Sequence, residues 1–247
     1  MRINGGYIDN VKIISPSEIM DIQCDKIIIT SFSSMNVIKQ QLCEMGVSEG
    51  KIDTSYVDLS VRAREKFLRD YAKIVYQFDL KGCVAEAGVF QGEFAKIINE
   101  NSPDRELYLF DTFKGFDEKD IAFEQINKFS EAKIGYLNIT SEKLVLSKMK
   151  HPEKCVIRKG YFPETAVGLE EEFCFVNLDM DLYKPTLEGL RFFYPKMVNG
   201  GIIVIHDYFY AGYEGVNVAL KEFLNEITDS VTPFPIGDAV SIAIQKV

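Results

Sequence analysis

Residues 82–100, GCVAEAGVFQGEFAKIINE, decide how the rest of the chain reads. Cys83 to Ala87 is a run of small and apolar residues broken by a single acid, the mark of a buried strand, and from Gly92 onward the apolar residues take helical spacing. A glycine-bearing turn joins the two. The same change recurs downstream: ELYLFD at 106–111 and KCVIRKG at 154–160 are strand-like, EEFCFVNLD at 171–179 leads into TLEGLRFFYPKM, and GGIIVIHD at 200–207 leads into GVNVALKEFLNEI. Strands that alternate with helices imply an α/β domain with a parallel sheet covered on both faces. The closing segments, SVTPFPIG and AVSIAIQKV, have no helix between them and are expected to pair antiparallel.

Working toward the N-terminus, an amphipathic helix is expected from Val61 to about Phe78, with Phe67, Leu68, Tyr71, Ala72, Val75 and Phe78 on one face. Before it, Lys26–Thr30 reads as a short strand. A helix follows, capped by Ser33 or Ser34, carrying Met35, Ile38, Leu42 and Met45 on one face and stopped by Gly46. The expectation is a strand–helix appendage over residues 1–55 and a main domain over 56–247. Residues 112–150, with two helical patterns behind a strand's carboxyl end, are a candidate lid.

Composition narrows the function classes. The 247 residues carry 28 Lys and Arg against 37 Asp and Glu, a net charge of -9, with 47% hydrophobic residues. Disorder is excluded as the main state. An acidic chain without a basic run is a poor partner for nucleic acid. No apolar stretch approaches the roughly 18 residues a membrane span needs. Five dispersed cysteines form no C-x-x-C pair, and the start MRINGGYIDN lacks a secretory pattern, so a cytoplasmic protein with reduced thiols is expected.

Chemistry-bearing residues gather at the expected strand exits. The turn Glu86-Ala87-Gly88-Val89-Phe90-Gln91-Gly92 has the spacing E-x-G-x-x-x-G, not the G-x-G-x-x-G of dinucleotide sites, and its carboxylate suits a cationic amino acid better than a diphosphate. A plain strand–helix turn is the alternative. Asp111 ends its strand 25 residues after Glu86, near the distance at which an acid meets a nucleoside ribose, and could equally cap a turn. Phe113 can face an adenine or pack under the lid. In VNLDMDLYKPT, Asp179 and Asp181 are two acids at one strand end, where a metal or a sulfonium would offset their charge. His206 and Asp207 end the next strand. Asp181 and Asp207 together would offer hard oxygen ligands of the kind Mg²⁺ takes, and His206 suits a general base or an orienting role. Tyr183, Tyr208, Tyr210 and Tyr213 surround these loops.

Taken together, CVAEAGVFQGEFA, LYLFDTFKGF, KGYFPET, VNLDMDLYKPTLEGLRFFYPKMVNGGIIVIHDY and PFPIGDAVSIAI resemble the macrocin O-methyltransferase family from about Ser60 to the C-terminus. The resemblance implies a Rossmann-like class I methyltransferase sheet, mostly parallel with an antiparallel C-terminal hairpin. It also implies S-adenosylmethionine-dependent methylation of a sugar hydroxyl, assisted by Mg²⁺. On that basis Glu86, Ala87, Gly88 and Gly92 hold the methionine part, and Asp111 with Thr112 the ribose. Tyr161 borders the adenine, Asp179 lies under the cofactor, Asp181 and Asp207 bind metal, and His206 or Asp181 takes the proton. One departure stands out: the macrolide-modifying members have two consecutive aspartates where this chain has His206-Asp207, so imidazole replaces an expected carboxylate. The N-terminal unit is loosely similar to half-Rossmann segments of bacterial surface-polysaccharide enzymes, which directs the substrate expectation to a nucleotide-linked sugar or a glycosylated metabolite. Homodimerisation through the Val61–Phe78 helix or the N-terminal unit is expected. The competing readings are a nicotinamide-dependent oxidoreductase and a non-catalytic nucleoside-binding module.

Overall fold

The computed structural model describes residues 6–8, 10–31 and 34–247. The chain divides into two compact units, 1–61 and 62–247. In the first, β1 (Tyr7–Ile8) pairs antiparallel with β2 (Val11–Lys12), and β3 (Ile27–Ile28) pairs parallel with β4 (Ile52–Asp53) across α1 (Met35–Glu44). The expected single strand–helix unit is therefore a strand–helix–strand unit with a small hairpin before it. Two-residue strands carry too little periodicity to be seen in sequence. Of the two expected caps of α1, Ser33 lies outside the described residues, and Ser34 occupies the N-cap position without a side-chain bond. Gly46 ends the helix at φ 93°, a conformation open to glycine.

α2 (Ser55–Gln77) starts six residues earlier than expected and runs from the first unit into the second. In the second unit, Leu68, Tyr71, Ala72 and Val75 are buried, whereas Phe78, one residue past the helix end, is 66% exposed. The Tyr71 hydroxyl donates to the carbonyls of Cys174 and Gly200, which ties the helix to two neighbouring strands.

The sheet is built from β5 (Cys83–Ala87), β6 (Leu107–Asp111), β7 (Cys155–Lys159), β8 (Phe173–Leu178), β9 (Met197–Ile205), β10 (Phe234–Pro235) and β11 (Ile242–Gln245). Its order is β10-β11-β9-β8-β5-β6-β7. β5 to β9 run parallel, and β11 pairs antiparallel with both β9 and β10, as the closing segments led us to expect. Alternate residues feed two cores. Ala85, Ala87, Tyr108, Phe110, Val176, Leu178 and Ile203 pack with α6 (Tyr183–Phe193) and α7 (Glu214–Glu226). Val84, Leu107, Leu109, Phe175 and Val204 pack with α2 and α3 (Glu93–Asn101). This two-sided burial explains why the strands read as nearly continuous apolar runs.

The expected lid contains α4 (Glu118–Asn127) and α5 (Glu142–Lys148). Its second half belongs to the core. Val145 is fully buried, and a Cβ on Gly92 would stand 3.0 Å from a Val145 methyl. Phe113 is buried in the same core, so of its two sequence readings packing applies.

Candidate active site

Because β6 leaves β5 on one side and β8 returns on the other, a crevice opens at the carboxyl ends of these strands, the usual ligand position in open parallel sheets. Gly88 follows β5 at φ 85°, and a Cβ there would lie 1.8 Å from the Asp179 carbonyl oxygen. Only glycine lets the two strand exits approach this closely. The Asp179 N–H donates to the Ala87 carbonyl and the Gly88 N–H to that of Phe110, which locks the turn between its neighbours.

Glu86 is 2% exposed. The Asn177 amide on β8 donates to its Oε1 at 2.8 Å, while its Oε2 is buried without a partner. Burial, reinforced by the Asp179 carboxylate, pushes Glu86 up to about 8 against the pull of Arg64 and Asn177. A buried carboxyl oxygen with nothing to accept from is an open acceptor for a cationic donor.

Asp111 closes β6 with both oxygens engaged. Oδ2 accepts from the Val89 and Phe90 N–H groups at 2.9 and 2.8 Å, and Oδ1 accepts from that of Phe113 at 2.6 Å. Burial raises its pKa, and these N–H groups oppose the rise. It organises the turn, and its remaining lone pairs are what a ribose would meet. The Thr112 hydroxyl donates to the Gly115 carbonyl and accepts from the Lys114 N–H, shaping the entry to the lid. Tyr161 is tied to that lid: its hydroxyl donates to Asp120 on α4 at 2.7 Å, and Lys119 lies over its ring.

The charged centre lies between β8 and β9. Asp179 Oδ2 accepts from Arg64 Nη2 at 2.9 Å, and Asp179 Oδ1 stands 3.0 Å from His206 Nδ1. Burial alone would raise Asp179, but His206 and Arg64 outweigh it and hold the carboxyl well below the usual range. His206 Nδ1 is also 3.1 Å from Asp207 Oδ2. Neither oxygen lies along its N–H direction, so these are ion-pair contacts and the buried nitrogen makes no hydrogen bond. Burial and Arg64 work against a charge on this imidazole; Asp179 and Asp207 overcome both and lift it to about 9.

Asp181 hydrogen-bonds to Asp207, and burial together with the Asp207 and Asp179 charges holds it well above the ordinary carboxyl range. Asp181 and Asp207 both adopt positive φ, 60° and 57°. Left-handed backbone at two adjacent strand exits costs energy.

Three residues that complete this centre were not singled out from the sequence. Arg64, in the RAREK stretch of α2, also donates to Asn177 Oδ1 at 3.1 Å and lies 4.1 Å over the Phe94 ring. Asn177, fully buried within an apolar strand, joins Arg64 to Glu86. Glu124 on α4 is 1% exposed; it accepts the Tyr183 N–H at 2.8 Å and the Ser130 hydroxyl at 2.7 Å. The polar residue inside VNLD was the only sequence signal for Asn177. Helical spacing hides Arg64 among exposed charges.

The model for the family described as macrocin O-methyltransferase matches residues 30–238. The chain belongs to the macrocin O-methyltransferase family. A second family model, described as C2185-like, N-terminal, matches residues 2–53. No curated protein matches the chain. Among solved structures, it is similar to the O-methyltransferase NovP at 19% identity, covering 75% of this chain and 80% of that one with a TM-score of 0.61. It is also similar to CalS11, a calicheamicin methyltransferase, at 17% identity, covering 86% and 91% with a TM-score of 0.59. An apo structure of CalS11, described as a TDP-rhamnose 3'-O-methyltransferase, aligns at 16% identity over 86% of this chain and 93% of that one, with a TM-score of 0.50. At these identities the likeness establishes a shared class I methyltransferase fold.

This macrocin O-methyltransferase family member is an S-adenosylmethionine-dependent O-methyltransferase. Family membership removes the oxidoreductase and the non-catalytic module from consideration. Among the described residues, no helix is long and apolar enough to cross a membrane.

Proposed function

We propose that the enzyme methylates a hydroxyl of a sugar, carried by a nucleotide or a glycosylated metabolite, in the crevice at the ends of β5, β8 and β9. The observation that carries this reading is the juxtaposition of an open buried acceptor, Glu86 Oε2, with the acids Asp179, Asp181 and Asp207 at adjacent strand exits. The similarity to CalS11, described as a TDP-rhamnose 3'-O-methyltransferase, supports the acceptor class.

In this reading Glu86 gives up its proton to solvent as the methionine ammonium binds and donates to its carboxylate, the Gly88 turn passes under the methionine chain, and Gly92 opens the helix beside it. Asp111 meets the ribose through lone pairs left free by the turn. Tyr161, held by Asp120, borders the adenine. Methyl transfer is an in-line displacement: the acceptor oxygen forms a bond to the methyl carbon while the carbon–sulfur pair returns to sulfur, leaving S-adenosylhomocysteine. The hydroxyl proton goes to Asp181. Of the two expected proton acceptors, Asp181 fits better, because its raised pKa makes its ionised carboxylate the stronger base while the imidazole of His206 is engaged by Asp179 and Asp207.

The family resemblance also brings in a divalent ion, expected on Asp181 and Asp207. Beside that pair, donor atoms of Asp179, His206 and Asp207 all lie within 4.8 Å of one another. They fit a divalent cation, and Asp181 is left as the base. When bound, such an ion polarises a substrate hydroxyl and lowers its pKa.

Incubating the protein with S-adenosylmethionine and a panel of nucleotide-sugars that includes TDP-rhamnose tests the proposal. A product one methyl group heavier than a sugar acceptor, with matching S-adenosylhomocysteine, is expected. Release of S-adenosylhomocysteine only with non-sugar hydroxyl acceptors would overturn it.

A further inference from the structure

Three donor atoms at the ends of β8 and β9 lie within 4.8 Å of one another. His206 Nδ1 is 3.0 Å from Asp179 Oδ1 and 3.1 Å from Asp207 Oδ2. In an octahedral ion with bonds of about 2.1–2.2 Å, neighbouring donors stand about 3.0–3.1 Å apart. Both contacts are ion pairs of a buried nitrogen, at the separation that a shared ion would also impose.

The chemistry of the set is as informative as its spacing. An imidazole nitrogen is a borderline donor. It binds zinc, iron, cobalt and nickel well, whereas Mg²⁺ takes oxygen ligands and keeps its waters. Arg64 already neutralises part of Asp179, which lowers the negative charge on which a hard ion depends and leaves a larger share of the binding to the nitrogen.

We propose that Asp179, His206 and Asp207 form a two-carboxylate, one-imidazole site that selects a divalent first-row transition ion over Mg²⁺. The inference rests on the methyl-transfer reading only for the ion's role beside the acceptor hydroxyl; the site itself needs no acceptor. Replacing the imidazole with a carboxylate converts the donors to oxygen alone, so a single substitution shifts preference back towards the hard ion.

The test uses the full chain freed of metal with EDTA, with Co²⁺, Mn²⁺ and Mg²⁺ alone as probes. Calorimetry is expected to give a Kd for Co²⁺ at least about tenfold below that for Mg²⁺, with a visible Co²⁺ absorption band appearing in step. His206→Asp is expected to narrow the Co²⁺/Mg²⁺ ratio by about tenfold or more, its fold being checked by circular dichroism. A readout on the unaltered protein stands beside the variant: pulsed electron paramagnetic resonance of bound Mn²⁺ is expected to carry modulation from a directly bound nitrogen.

Equal affinity for Mg²⁺ and Co²⁺, no nitrogen modulation, or no binding of any of these ions would each overturn the inference. Sugar methylation is measured separately. Turnover without ion binding removes the metal inference and leaves the methyl-transfer reading standing, whereas ion binding without turnover of any sugar removes the acceptor class alone.

Discussion

Glu86 carries a proton in the folded chain that the unfolded chain loses at lower pH. Its pKa rises from 4.5 to about 8, so between those values the folded state binds more protons than the unfolded one. The sign follows from linkage: Glu86's stabilising contribution is fully present below about pH 4.5 and is lost as pH rises toward 8. Glu86→Gln is therefore expected to flatten the fall in stability between pH 5 and pH 8, measured by urea unfolding at both. An unchanged slope would mean that another group produces it. Arg64 acts in the opposite sense, as the cation that makes a buried Asp179 tolerable. Arg64→Met is expected to cost about 3 kcal/mol in the same assay, because it leaves Asp179 with His206 alone. Of these residues, Glu86, Asp179 and His206 were legible in the sequence because each interrupts or ends an apolar strand. Arg64 was not: a helical arginine looks the same whether it faces water or a carboxylate 115 residues away in sequence. Asp111 was legible as an important acid, but spacing could not show that three backbone N–H groups already hold it.

At the scale of elements, the turns after β5 and β8 are built as a pair. Gly88→Ala would drive a methyl group into the Asp179 carbonyl and also impose positive φ on alanine, so the two strand exits must separate. Loss of S-adenosylhomocysteine binding in isothermal titration is expected, with circular dichroism retaining the helical signal; normal affinity would show that the turn is not the cofactor's seat. The N-terminus of α6 depends on another element in turn. Its N-cap residue, Leu182, has no side-chain acceptor, and Glu124 supplies one from α4. Glu124→Ala is expected to cost about 1–2 kcal/mol in thermal or urea unfolding, the range for a lost cap that also leaves the Ser130 hydroxyl unpaired. The strands and most helices were readable because burial on both sheet faces leaves a long apolar signature. The lid was read only in part. Its two helices were foreseen, but Val145 packing on Gly92 makes α5 part of the core, a tertiary contact that periodicity does not encode.

At the scale of the whole molecule, a sheet order that reverses beside β5 brings residues from four distant stretches to one crevice. Glu86, Asp111, Asp179, Asp181 and Asp207 all lie at these strand ends, with Arg64 and His206 paired to Asp179. The antiparallel strand β11 pairs with β9 through Ile205, next to the residues that follow it, and β10 closes that edge of the sheet. We propose that Asp181, at these strand ends, takes the acceptor's proton during methyl transfer. Its most direct test is the single-turnover rate of methyl transfer to a nucleotide-sugar acceptor by Asp181→Asn, measured with S-adenosylmethionine saturating. A rate lower by about 10²-fold or more, with unchanged affinity for S-adenosylhomocysteine, is the predicted result; a rate equal to that of the unaltered enzyme would contradict the account.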